Sequence, residues 1–125
     1  MKHIIAEEIA KAWVAMNRAV QDSVEYHSNF WAYERISDMC EDDPETCWLV
    51  IDKIRHIDSS DAVISNLAAG PLGDLLASHG AAFIDRVEIE ANNDAVFKKL
   101  LAAVWKNDIE DAVWARIKKV AGEPW

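Results

Sequence analysis

Four histidines, two cysteines and 22 carboxylates are the groups in this 125-residue sequence able to bind a metal, attack a carbonyl or move a proton. Spacing decides which of these tasks they fit. Cys40 and Cys47, with six residues between them, lack both the two-residue spacing and the neighbouring histidine pair of a zinc site, and they read as two core thiols. His3, His27, His56 and His79 are scattered, and none falls in the His-Glu-x-x-His or Glu-x-x-His pattern that sets two ligands on one helical face. No metal and no other cofactor is expected. Gly70-Pro71-Leu72-Gly73 lacks the lysine and the preceding strand of a phosphate loop, and no Gly-x-Ser-x-Gly elbow presents a nucleophile. Paired carboxylates catalyse when one is desolvated enough for its pKa to rise, and the hydrophilic run from Asp38 to Glu45 gives no sign of that. Asp74 and His79 are the one combination an enzyme would use. The plainer reading is an imidazole at the negative end of a helix dipole.

With catalysis poorly supported, charge becomes the informative feature. The formal charge is −9, and residues 20–61 account for most of it, with eleven acids against Arg35, Lys53 and Arg55. Nucleic acid and anionic lipid both require lysine and arginine to displace counterions, so neither is an expected partner, whereas a basic protein is. Six tryptophans are many for this length. Trp13, Trp105 and Trp125 are expected in the core, because an indole fills space between helices. Trp31, Trp48 and Trp114 lie beside the apolar stripes of their helices, and tryptophan next to carboxylates is typical of a protein-binding hot spot. The expected partner-binding residues are therefore Trp31, Glu34, Asp38, Glu41, Asp42, Asp43, Glu45 and Trp48.

These groups are carried by helices. Ile5, Ile9, Trp13, Met16 and Val20 recur at helical spacing and predict a first helix over residues 4–21. Tyr26, Phe30, Tyr33, Ile36 and Cys40 predict a second over 23–40, closed by the charged turn Glu41-Asp42-Asp43. Asp43 should cap a third, with Pro44 at its first position and Cys47, Val50, Ile51, Ile54 and Ile57 inward. A fourth begins at Ser59, Ser60 or Asp61 and runs to Gly70-Pro71, where a left-handed Gly70 is expected to break it. Leu72, Leu75 and Leu76 form a short continuation to Gly80, and Phe83, Val87 and Ala91 a further helix, although Arg86 to Glu90 alternates as a strand would. Asp94 and Asp108 should cap the last two, which carry Phe97, Leu100, Leu101 and Val104, then Ile109, Val113, Ile117 and Val120, and Gly122 ends them. The fold class is all-α, with six to eight helices in antiparallel hairpins; a short α-solenoid-like stack is the alternative. Asp-Ala-Val recurs at Asp61, Asp94 and Asp111, which fits shared helix-start chemistry slightly better than true repeats.

A length of 125 residues suits one domain, 1–125. Glu7 and Glu8 interrupt the opening apolar residues too early for a signal peptide, and no uncharged run approaches the ~20 residues that span a bilayer. With two cysteines only, a reducing cytoplasm is the expected compartment.

The block Leu67-Ala-Ala-Gly-Pro-Leu-Gly-Asp-Leu-Leu76, with His79-Gly80 after it and Leu100 to Trp105 further on, resembles an uncharacterised bacterial family of small helical proteins, a domain of unknown function. The likeness spans residues 30–117, and Gly73 stands where that family usually has glutamate. The resemblance implies a bacterial source and an all-helical fold. It assigns no catalytic residue, so no role is carried over.

The function expected from these readings is non-enzymatic: an immunity or antitoxin-like inhibitor of a basic toxin domain. A structural homo-oligomer, such as a homodimer through the tryptophan faces, and an enzyme with a site near Asp74 and His79 are the alternatives.

Overall fold

Local side-chain chemistry starts most of the helices. The computed structural model describes residues 2–125. Helix α1 spans Lys2–Arg18, and α2 spans Val24–Asp42 behind Ser23, whose hydroxyl accepts the Tyr26 amide hydrogen at 3.1 Å. Helix α3 (Pro44–Ile57) begins on the Asp43 carboxylate, with Pro44 where no amide partner is needed. Helix α4 (Asp61–Leu67) begins on Ser60. Helix α5 covers Gly73–Asn93, and α6 (Ala95–Ala102) begins on Asp94, which accepts the amides of Val96 and Phe97 at 2.9 and 3.1 Å. Helix α7 (Asp111–Ala121) ends at Gly122, whose φ of 75° suits glycine. No strand occurs among the described residues, so the fold is all-α; the alternating stretch Arg86 to Glu90 lies inside α5, with Val87 buried and Ile89 out in solvent.

Helix α5 runs on through Gly80, where an end was expected, to Asn93, because the chain bends at His79 without leaving the helix. Three further boundaries differ from the sequence reading. Helix α1 stops at Arg18, which leaves Val20 exposed in the turn to α2, where Asp22 takes a left-handed conformation that a short polar side chain tolerates. Glu41 and Asp42 continue α2 to its end, so Asp43 alone joins α2 to α3. Asp108 does not cap α7; Glu110 occupies the cap position without a side-chain bond, and buried Ile109 precedes the helix. Tyr33 and Ile57 also face solvent, at the edge of the α2 stripe and at the last turn of α3. Asp61 and Asp111 open their helices from inside whereas Asp94 stands before its helix, so the shared tripeptide reflects helix starts in two registers.

The largest correction concerns Gly70-Pro71. The chain passes through both residues as a π-helical turn, Ala68–Leu72, that leads from α4 directly into α5. Proline has no amide hydrogen and its ring crowds the preceding turn. Widening the turn relieves the crowding, and the Gly73 amide bonds the Ala68 carbonyl. Gly70 is not in the left-handed region, and a Cβ added there would meet nothing within 4 Å. Gly70→Ala is therefore expected to change stability by no more than about 1 kcal/mol, a gain in helix propensity offset by crowding against the following proline. Gly122→Ala, at positive φ, should cost about 1–2 kcal/mol. Thermal melts of the two variants decide the matter, and a larger loss at residue 70 would restore the left-handed reading.

One hydrophobic cluster draws on all seven helices, with Phe83, Phe97, Leu67, Leu72, Leu75, Leu76, Leu100 and Leu101 nearly or fully inaccessible. Helix α5 touches α2, α3, α6 and α7, while α1 lies against α2 and α3. Repeats in a solenoid touch only their sequence neighbours, so this is a bundle around α5. At His79 (φ −136°, ψ 24°) α5 bends, and Gly80 next to it lets α7 come close: a Cβ there would sit 3.0 Å from a Val113 methyl. No helix among the described residues is long and apolar enough to cross a membrane.

Candidate functional site

Helix α2 buries Ala32, Ile36, Met39 and Cys40 and turns the residues between them outward. Trp31, Glu34, Asp38 and Glu41 step by three, four and three, so they share one face, and Asp42 follows Asp38 by a helical turn. All five are exposed, Trp31 over 47% of its surface. Elsewhere the carboxylates of Asp52, Asp58, Asp61, Asp85, Glu88, Glu90, Asp94 and Asp111 meet cations. Among the described residues no cation lies within 4 Å of Glu34, Asp38, Glu41 or Asp42. Along one edge of the strip run Tyr26, Phe30 and Tyr33, with ring centroids 5.8 and 5.1 Å apart.

Three of the eight expected residues are occupied by the fold. Asp43 terminates α2 and starts α3: its Oδ2 accepts the Thr46 hydroxyl at 2.7 Å and its Oδ1 accepts the Thr46 amide at 3.3 Å. Those bonds, the hydroxyl foremost, hold its carboxyl below the ordinary range. Glu45 receives both terminal nitrogens of Arg86 at 2.9 and 2.7 Å, a fork that ties α3 to α5 and lowers the Glu45 pKa. Trp48 is half-buried, its ring 5.7 Å from Phe83 and 5.6 Å from Phe97. Trp31, Glu34, Asp38, Glu41 and Asp42 remain together at the surface.

His79 does not end a helix; it sits at the bend in α5, and its Nε2 donates to the Glu41 carbonyl at 2.8 Å. The imidazole thus caps the C-terminus of α2, a role that a residue in a different helix fills only through tertiary contact. Asp74 makes no hydrogen bond with it, although partial desolvation raises the Asp74 pKa. Cys40 and Cys47 are buried with their Sγ atoms 3.2 Å apart, and Cys40 also donates to the Pro71 carbonyl. The neighbouring thiol and burial push Cys47 up, which keeps it protonated and a poor nucleophile. No three His, Cys, Asp or Glu side chains converge as a metal would require among the described residues.

Sequence reasoning missed two aromatic residues and one cation. Trp105 and Trp125, expected inside, are 76% and 51% exposed. Both lie beyond a helix end, Trp105 in the turn after α6 and Trp125 after Gly122 and Pro124, and that position was the available signal. Arg55 is buried, and no local pattern marks it.

The fold and the strip together define a small all-helical protein whose most distinctive exposed surface is acidic. The chain belongs to a family of unknown function (DUF6869), whose model matches residues 19–124. The likeness read from the Leu67–Leu76 block stands at that level, over a longer segment than the block suggested. No curated protein and no solved structure matches the chain.

Proposed function

We propose that this chain is a protein-binding inhibitor of the immunity or antitoxin kind, acting without catalysis in a bacterial cytoplasm on the basic domain of a toxin. One observation carries the reading: Trp31, Glu34, Asp38, Glu41 and Asp42 form an exposed strip on α2 in which no carboxylate has a cationic partner among the described residues. Unneutralised carboxylates around a half-exposed indole make a surface suited to steer a cationic partner and then anchor it.

The test reverses Asp38, Glu41 and Asp42 to lysine together and measures association with the protein encoded beside this chain's gene. Association should slow at least about tenfold, and the steep decline of the parent's rate above ~0.15 M salt should disappear. Trp31→Ala should instead speed dissociation, at a cost of about 2 kcal/mol. Melting curves establish that both variants fold. If the triple variant binds as the parent does at every salt concentration, the strip serves solubility and the proposal fails.

A further inference from the structure

In a chain of charge −9, one groove is lined by two lysines and by no acidic side chain among the described residues. It runs between α4, the turn after α6 and the C-terminal half of α7, and its volume of about 640 Å³ falls within the ~300–1,000 Å³ usual for small-molecule sites. Leu101, Ile117 and Ala121 form a buried apolar floor. Trp105, Trp114 and Trp125 form the walls, and Lys106 and Lys118 stand at the rim.

The walls are partly fixed in place. The Trp125 indole donates to the Lys99 carbonyl at 2.7 Å while the Lys99 ammonium lies 4.5 Å from its ring centre. Lys118 sits 5.7 Å from the Trp114 ring and has no carboxylate within 4 Å among the described residues. Among the described residues Lys106 meets Asp111, at 2.9 Å, in an exposed pair that water weakens. Lys118, which has no such partner, outweighs the roughly half a negative charge at the end of α7. A second copy of this chain would bring its own −9, so repulsion opposes it as the occupant.

We propose that this groove binds a small apolar carboxylate, its hydrocarbon body on the three tryptophans and its anionic head at Lys118 and Lys106. The indole faces supply apolar area with little rotamer freedom to lose, and the lysines select the sign of the head group.

The test titrates the ¹⁵N-labelled chain with decanoate below its micelle concentration, with decyltrimethylammonium as the matched cation. Decanoate should move the indole N–H signals of Trp105, Trp114 and Trp125 saturably and leave those of Trp13 and Trp31 in place. The cation should bind at least about tenfold more weakly, and Lys118→Glu, an exposed substitution whose folding a melting curve checks, should weaken decanoate about tenfold. Equal affinity for the two amphiphiles, shifts spread over all the tryptophans, or no saturation would overturn the proposal. So would binding to phosphatidylglycerol vesicles without any response to decanoate, which would assign the face to a bilayer. Movement of the same three signals on raising the protein concentration alone would assign it to a second copy and equally end the proposal.

Discussion

Arg55→Ala is expected to lower folding stability by about 2–4 kcal/mol, read from the urea midpoint. The Arg55 side chain is 3% exposed and donates to Asp52, Glu90 and Asp94, each at 2.8 Å, while its guanidinium carbon lies 5.4 Å from the Phe97 ring centre. One cation therefore joins α3, the end of α5 and the cap of α6. Without it, three carboxylates face one another across the space it filled. Water reaches them, with side-chain exposures of 45, 37 and 30%, so the expected loss lies below what a fully enclosed broken pair would show. Its Nε, buried with no partner among the described residues, already counts against the parent.

The difference should narrow in acid. Hydrogen bonding, from Arg55 first and then from the Phe97 amide, holds the Asp94 carboxyl below its ordinary value of 3.8. A depressed folded pKa contributes stability above the unfolded value and loses it as the pH falls through the folded one. Parent and variant should thus differ most near neutrality and converge below pH ~4. A loss under about 1 kcal/mol at neutral pH, or one that grows on acidification, would show that the cluster does not hold these helices together.

Phe97→Ala should cost about 3–5 kcal/mol, the range for emptying an aromatic site in a core. Phe97 is 2% exposed at the start of α6, between Trp48 and the Arg55 guanidinium. Its removal opens a cavity beneath Trp48, whose emission should move to the red as water enters. Phe97→Leu, which retains most of the apolar volume, should cost about 1–1.5 kcal/mol. Because Phe97 touches Arg55, the double variant should lose less than the two single losses together, by about 0.5–1 kcal/mol. Strict additivity would mean that the ring and the cation do not cooperate. A Phe97→Ala loss under about 1.5 kcal/mol would mean that the site collapses around the gap.

The acidic strip was legible in outline but not in membership. Glu34, Asp38, Glu41 and Trp31 could be grouped because one helix carries them, and helical spacing alone puts them on one face. Asp43 and Glu45 belonged to the same acidic run, yet one is consumed as a helix cap and the other by Arg86, 41 positions away. No window of sequence holds both partners of that pair. Trp48 and Trp105 exchanged roles for a similar reason: whether an indole is covered depends on Phe83 and Phe97 arriving from other helices, or on a chain end leaving it uncovered.

What the sequence alone determined is the set of helices and most of their starts, because a cap is satisfied within four residues and an apolar stripe declares its own period. Asp43-Pro44, Ser60, Asp94 and Gly122 act as punctuation whatever surrounds them. Tertiary structure decided the rest. The π turn at Pro71, the burial of Arg55, the His79 cap on α2 and the cation-lined groove each require groups far apart in the chain to meet. Their energies come from desolvation and close approach, which exist only once the helices have packed.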